Sequence, residues 1–112
     1  MRIYPKQQKE INGEYYGSFG EIPIGISVVT VESFDQNFDD PLHHHIEANE
    51  FYLVTQGQLL LEVNGQDIEL DSNHMVMVEP SERHKIKSIL SFPCTWVIIS
   101  SPKKDTSDKV TH

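Results

Sequence analysis

The pair Asn64-Gly65 separates two short segments in which apolar and polar residues alternate. The apolar members of this alternation are Leu59, Leu61 and Val63 before the pair and Ile68 and Leu70 after it. Alternation with a period of two is typical of a strand with one buried face. A type I′ hairpin turn needs a positive φ at both central residues, and the Asn-Gly pair meets this need well. Residues 58–70 are therefore predicted to form a β-hairpin, which commits the middle of the chain to β structure.

The rest of the chain repeats this pattern of short apolar segments bounded by turns. Predicted strands cover residues 22–34, 50–55, 74–78, 84–90 and 94–100. No segment places apolar residues at a helical spacing. A chain with at least about seven short predicted strands favours a sandwich or a barrel. We therefore expect an all-β fold in one domain over residues 1–112. The polar residues 101–112 are predicted to form a C-terminal tail on the surface.

The charge balance argues against two classes of partner. Asp and Glu number 17 against 9 Lys and Arg, which gives a formal net charge of −8 at pH 7. Proteins that bind nucleic acids usually carry a basic patch that replaces counterions on phosphates, and the sequence contains no basic cluster. We therefore expect no nucleic-acid partner and no membrane partner.

The sequence also bears on the compartment. No apolar run approaches the roughly 18 residues that suggest a membrane span, and residues 1–20 contain no apolar stretch typical of a signal peptide. Cys94 is the single cysteine, so an intramolecular disulfide is impossible. Because an unpaired thiol suits a reducing compartment, we expect a cytoplasmic protein.

Five of the six histidines lie between positions 43 and 84, and three of them are consecutive. On a strand, His43 and His45 point to one face and His44 to the other. A short turn would bring the Glu50 carboxylate to the same face, and His84 begins a later strand. Three imidazoles and one carboxylate suit Fe, Mn, Ni, Zn, Co or Cu better than Ca or Mg. These residues predict a site for one divalent transition metal ion; the alternative is that the triplet is a solvated surface run.

Residues 41–57, PLHHHIEANEFYLVTQG, resemble the first motif of the cupin superfamily, in which His-x-His is followed by Glu and then Gly at set spacings. Residues 73–84, NHMVMVEPSERH, resemble the second motif more loosely. The second motif keeps its histidine but departs at Asn73, His74, Glu79 and Ser81. The resemblance implies a double-stranded β-helix, or jelly-roll barrel, with the two motifs at its centre over residues 43–84. It also implies a metal ion inside the barrel, held by His43, His45, Glu50 and His84.

The resemblance does not choose a reaction, because this superfamily includes isomerases, epimerases, dioxygenases, decarboxylases, lyases and storage or sensor proteins. The leading hypothesis is a metalloenzyme that acts on a small oxygen-rich molecule by isomerase, dioxygenase or lyase chemistry. The alternatives are a non-catalytic barrel that binds or senses a small molecule and a metal-free barrel kept for oligomerisation. Open sheet edges invite pairing and residues 1–34 are rich in strand-forming residues, so we also expect a homodimer.

Overall fold

The computed structural model describes residues 1–8, 13–16, 23–36, 38–102 and 106–112. Within these residues the chain forms β strands and one short 3-10 turn, which confirms the all-β prediction. No helix among them is long and apolar enough to cross a bilayer. The elements are β1 (Lys6–Gln8), β2 (Gly13–Tyr16), β3 (Gly25–Val31), β4 (His43–His45), β5 (Asn49–Val63), β6 (Gln66–Leu70), β7 (Met75–Val78), β8 (His84–Ser101), the 3-10 turn (Thr106–Asp108) and β9 (Lys109–Thr111).

Two long antiparallel strands, β5 and β8, run through both layers of the molecule. The first half of β5 and the second half of β8 belong to a layer with the order β7-β5-β8-β3-β2-β1, which we call the first layer. Their other halves belong to the second layer, with the order β6-β5-β8-β4-β9. The pairing of the described strands does not close into a ring. Two antiparallel layers that share their long strands form the predicted jelly roll.

The hairpin predicted around Asn64-Gly65 is present between β5 and β6. Both turn residues have a positive φ, 51° at Asn64 and 81° at Gly65. Leu61 pairs with Ile68 and Leu59 with Leu70, so the predicted apolar residues share the inner face. The turn therefore fixes the register that buries this face.

The passage of β5 from one layer to the other depends on Gly57. The register against β8 shifts several times between Val54 and Leu61, and Gly57 has a φ of +78°. A Cβ atom at this position would lie 2.5 Å from the carbonyl oxygen of Pro93 in β8. A side chain here would therefore clash with the backbone of the neighbouring strand, and glycine lets the two strands bend together.

Because of this bend, the observed strand boundaries differ from the predicted ones. Residues 50–55 and 58–63 were expected to be separate strands but belong to the single strand β5. Residues 84–90 and 94–100 likewise belong to the single strand β8. The turn-forming residues between these segments produce bulges, which bend a strand and increase its twist without ending it.

One apolar core fills the space between the two layers. The first layer contributes aromatic and β-branched side chains and the second layer mostly leucines. The buried core residues are Val31, Tyr52, Val54, Leu59, Leu61, Leu70, Val78, Ile86, Cys94 and Trp96. The core lies directly beside the histidine residues, because His84 begins the strand that also carries Ile86.

The prediction of a surface tail over residues 101–112 is wrong for most of the part that is described. Ser101 ends β8, and residues 103–105 lie outside the described residues. The 3-10 turn is followed by β9, which pairs with β4, and Asp108 is buried. The segment is polar, but its backbone completes the edge of the second layer and its buried carboxylate has hydrogen-bond partners.

We expect Gly57→Ala to lower the free energy of unfolding by about 3 kcal/mol or more, because it combines an unfavourable φ with a backbone clash. Gly65→Ala is the matched control, since Gly65 also has a positive φ but a Cβ atom there would meet nothing within 4 Å. Its expected cost is about 1 kcal/mol, from the φ alone. Urea unfolding of both variants checks this prediction, and an equal loss of unfolding free energy in the two variants would contradict it.

Candidate metal centre

Strand β4 presents its three histidines to opposite sides. The rings of His43 and His45 lie on one side, with centroids 5.4 Å apart. His44 lies on the other side, where its ring stacks on that of His112 with centroids 4.8 Å apart. The structure thus gives the strand alternation that the sequence predicts.

The backbone register brings the other two residues of the predicted set to the same place. His43 pairs directly with His84 across β4 and β8, and their ring centroids are 4.2 Å apart. Glu50, near the start of β5, points its carboxylate at the rings. One ligand atom from each of His43, His45, Glu50 and His84 lies within 4.8 Å of the others. We call these side chains the histidine–glutamate cluster.

The carboxylate of Glu50 lies at the middle of this cluster. Its Oε1 atom is 3.0 Å from Nε2 of His45 and 3.0 Å from Nε2 of His84. Tyr52 donates its hydroxyl hydrogen to Oε1 at 3.3 Å, and the hydroxyl of Ser100 donates to Oε2 at 3.3 Å. Glu50 is therefore fixed from several directions and both of its oxygens have partners.

In two of the rings, the nitrogen that points away from Glu50 faces a backbone carbonyl. Nδ1 of His43 lies 2.7 Å from the carbonyl oxygen of Pro41, and Nδ1 of His84 lies 2.9 Å from that of Glu82. A carbonyl oxygen can only accept, so both rings carry a proton on Nδ1. When neutral, each ring then directs the lone pair of Nε2 towards the cluster.

His45 is held between two carboxylates. Its Nδ1 lies 3.5 Å from Oδ2 of Asp108, and its Nε2 faces Glu50. Asp108 is itself fixed, because it accepts from the backbone N–H of Glu47 at 2.9 Å and of Ala48 at 3.3 Å. The 3-10 turn before β9 therefore orients a ring on β4.

These contacts test whether a metal ion fits the cluster. A neutral imidazole lone pair and a carboxylate oxygen are both acceptors, so two of them cannot bond to each other at 3.0 Å. The contacts of Glu50 with His45 and His84 therefore require either a proton on each Nε2 or a metal ion between the atoms. Neutral imidazole and carboxylate are common ligands of the predicted ions, and Nδ1 partners of this kind orient metal-binding histidines elsewhere. The four residues therefore fit such an ion.

The cluster shifts the proton affinities of its members. Burial lowers the pKa of His43 to about 4, which keeps this ring neutral at physiological pH. Burial alone would raise the pKa of Glu50, but hydrogen bonds from His45 and His84 outweigh it and hold the pKa well below its usual range. The hydrogen bond with Glu50 raises the pKa of His45. Burial raises the pKa of Tyr52 well above 10, so its hydroxyl remains a donor.

Two residues that contribute to the site are not among the ligands predicted from the sequence. Asp108 lies in the segment predicted to be a tail, and no motif or spacing marks it. Tyr52 follows Glu50 by two residues and so shares its face, a signal that supported either core packing or a place beside the cluster. The structure gives Tyr52 both roles, because its ring is buried in the core while its hydroxyl contacts Glu50.

A groove of about 290 Å³ lies near the cluster but is lined by none of its four side chains. Asp40 and Ile86 are among its lining residues. The backbone N–H of Ile86 donates to Oδ2 of Asp40 at 2.6 Å, and Oδ1 of Asp40 is 3.7 Å from Nδ1 of His43. These two residues therefore separate the groove from the His43 ring.

The sequence profile of the cupin domain matches residues 30–100. This stretch includes the whole histidine–glutamate cluster and the two long strands almost completely. The chain therefore belongs to the cupin family, as its two motifs imply. No curated protein matches the chain significantly.

Several solved structures share the fold at low sequence identity. A variant of Pac13 from Streptomyces, solved with uridine, has a TM-score of 0.72 and 14% identity and covers 97% of this chain and 84% of that chain. KdgF from Halomonas sp. has a TM-score of 0.66 and 16% identity, with 92% and 90% covered. A protein from Planctomyces limnophilus has a TM-score of 0.65 and 21% identity, with 94% and 95% covered. At such identities the similarity shows the fold alone.

The depressed pKa of His43 predicts a pH dependence of folding when metal is removed with a chelator. The unfolded chain takes up a proton at His43 as the pH falls through 6.5, whereas the folded chain does so only near pH 4. The stability that this difference provides is fully present above pH 6.5 and is lost as the pH falls to 4, by about 3 kcal/mol. We expect His43→Gln to lack this loss. Urea unfolding between pH 7 and pH 4 gives the free energy of unfolding of both proteins. If this free energy falls with pH equally in wild type and in His43→Gln, the prediction is contradicted.

Proposed function

We propose that this chain is a metal-dependent cupin enzyme that acts on a small oxygen-rich molecule. The ion is one divalent transition metal, of the group Fe, Mn, Ni, Zn, Co and Cu, and its ligands are His43, His45, Glu50 and His84. The observation that carries the proposal is the convergence of four ligand atoms within 4.8 Å in a buried place. When bound, such an ion supplies Lewis acidity towards a substrate oxygen.

The residues around Glu50 favour a fixed ligand over a mobile base. Its two oxygens are held by Tyr52 and Ser100 as well as by the imidazoles. Leaving this position would strand buried donors without partners, which is costly. Glu50 therefore stays in place, and the Tyr52 hydroxyl keeps its proton and orients the carboxylate.

The substrate class follows from the chemistry of the ion and from one structural neighbour. An ion of this group also accepts oxygen donors at its open positions, such as the hydroxyl, carbonyl or carboxylate groups of sugars, nucleosides and hydroxy acids. Pac13 is described as a nucleoside dehydratase, a lyase reaction within the range expected from the sequence. Nucleosides are therefore the first substrates to test, alongside sugars and sugar acids.

Cys94 takes no part in the proposed chemistry. Its thiol is buried in the core, and burial raises its pKa. Because the thiolate is the reactive form, this side chain acts as a small apolar core residue. A cytoplasmic location, which the single free thiol suggests, stays a prediction.

Anaerobic purification, elemental analysis and substrate screening test the proposal. Protein loaded with the ion found by elemental analysis is incubated with uridine, other nucleosides, sugars and sugar acids, and the products are followed by proton NMR. Turnover that requires the ion and disappears in His84→Ala supports an enzyme. A loaded protein that binds one of these molecules without converting it would instead be a binding or sensing barrel.

The ligand set predicts a contrast within the histidine triplet. His43→Ala and His84→Ala should lose stoichiometric metal binding, because each removes an imidazole from the cluster. His44→Ala should keep it, because that ring lies on the opposite side of β4. Elemental analysis of the purified variants makes the comparison. Loss in His44→Ala with retention in His43→Ala would mean that the ligand assignment is wrong by one residue.

We predict that Asp108→Asn weakens metal binding by about 10- to 100-fold, the usual effect of changing a group that orients a metal-binding histidine. Asp71→Asn is the matched control, since Asp71 lies beside an exposed histidine, His74, at 3.9 Å and far along the chain from the cluster. Competition with a chromogenic chelator gives both dissociation constants. Unchanged affinity in Asp108→Asn would show that the carboxylate does not hold His45 for the metal.

A further inference from the structure

The turn between β7 and β8 leads into His84 and also contacts the backbone of His45. The carbonyl oxygen of Glu82 accepts from Nδ1 of His84 at 2.9 Å. The backbone N–H of Ser81 donates to the carbonyl oxygen of His45 at 2.8 Å. The positions of two proposed metal ligands therefore depend on how residues 79–83 are held, and we call this segment the ligand turn.

The ligand turn has a backbone conformation that needs support from outside the turn. Ser81 has a φ of 71°, which is unfavourable for a residue with a Cβ atom. It is also one of the positions at which the second cupin motif departs from its usual residues. The backbone hydrogen bond from Glu82 to Glu79 is 3.2 Å long, at the upper end of the ordinary range. Such a conformation persists where the surrounding structure holds it in place.

The side chains of Asn64 and Glu82 provide this support. Nδ2 of Asn64 donates to Oε2 of Glu82 at 2.8 Å, and Oε1 of Glu82 accepts from the backbone N–H of Glu79 at 2.8 Å. Oδ1 of Asn64 accepts from the backbone N–H of Arg83 at 3.1 Å. We call these three hydrogen bonds the Asn64–Glu82 latch, because they tie both ends of the ligand turn to one asparagine in the neighbouring hairpin.

The hairpin alone does not explain an asparagine at position 64. Its turn needs a positive φ, which glycine and aspartate also tolerate. The backbone N–H of Asn64 donates to the carbonyl oxygen of Arg83 at 2.7 Å, and these residues could form that bond as well. Asparagine adds a side chain with both a donor and an acceptor, whereas aspartate lacks the donor and glycine lacks both. The latch uses both groups.

We propose that Asn64 and Glu82 are positioning residues of the metal centre, which orient the His84 ring by fixing the carbonyl group of Glu82. This inference rests on the proposed metal site. Both side chains act through the backbone of the ligand turn. If the turn moved, it would displace the carbonyl oxygen that holds Nδ1 of His84, and Nε2 of the same ring would leave its place beside the other ligands. Groups that orient a metal-binding histidine in this way affect the affinity for the ion.

Exchanging the two groups of the latch tests the proposal. Asn64→Asp places two carboxylates against each other, and Glu82→Gln places two amide –NH₂ groups against each other. The double variant Asn64→Asp/Glu82→Gln can form all three hydrogen bonds again, with donor and acceptor reversed between the two side chains. It also keeps the formal net charge of −8.

We expect each single variant to bind Zn²⁺ about 10-fold more weakly and the double variant to return to within about threefold of wild type. Competition with a chromogenic chelator gives the dissociation constants. Asn73→Asp is the matched control, because it makes the same substitution at an exposed position in the turn between β6 and β7, and its affinity should be unchanged. A purely electrostatic effect of the added carboxylate would instead strengthen the binding of a cation in Asn64→Asp.

Amide hydrogen exchange of the chelator-treated proteins reports on the latch without the ion. The backbone amides of Glu79 and Arg83 should exchange faster in both single variants and regain protection in the double variant. Protected amides in the core strand β5 would show that every variant is folded.

The two measurements separate this proposal from the proposed function. Wild type that binds no ion would overturn the proposed function and, with it, the role of the latch. Wild type that binds Zn²⁺ would overturn this proposal alone if the single variants bind the ion equally well, because the latch would then hold the turn without orienting His84. A double variant that stays as weak as the single variants would also overturn it, since the hydrogen bonds would not be the cause of the loss.

Discussion

The contact of Glu50 with two imidazoles is the interaction on which the site depends. Oε1 of Glu50 lies 3.0 Å from Nε2 of both His45 and His84 in a largely buried place. Two acceptors do not approach one another so closely without a proton or a metal ion between them, and burying an unbalanced carboxylate is costly. The cluster is thus stable only with protons or a metal ion at its centre. The same imidazole nitrogens and carboxylate oxygen would bind either one.

The rest of the fold keeps these four side chains in one place. The pairing of His43 with His84 sets the distance between β4 and β8, and the bend of β5 at Gly57 lets one strand carry both Glu50 and the inner-facing leucines of the second layer. β9 then fixes β4 from its other edge. A short strand of three histidines would have little stability alone, and it is ordered because strands on both sides supply its hydrogen bonds.

Much of this arrangement could be predicted from the sequence, for identifiable reasons. Strand alternation separates His44 from its neighbours, and the Asn64-Gly65 turn sets the inner face of its hairpin. The cupin motifs name all four members of the cluster. Asp108 could not be predicted, because a buried carboxylate in a polar segment has no local pattern and its partners lie about 60 residues earlier in the chain. The continuity of β5 and β8 was also hidden, since Gly57 and Pro93 signal a turn equally well when they produce a bulge.

Counting the protons that metal binding releases tests the central claim most directly. Chelator-treated protein is titrated with Zn²⁺ by calorimetry at pH 6.5 in buffers of different ionisation enthalpy, which gives the number of protons displaced per ion. Because the hydrogen bond with Glu50 raises the pKa of His45 above 6.5, binding of one ion at this pH should release about one proton from that ring, and the number should fall as the pH rises. Stoichiometric binding without any proton release would contradict the account, because the imidazoles would then not share the centre of the site with the ion.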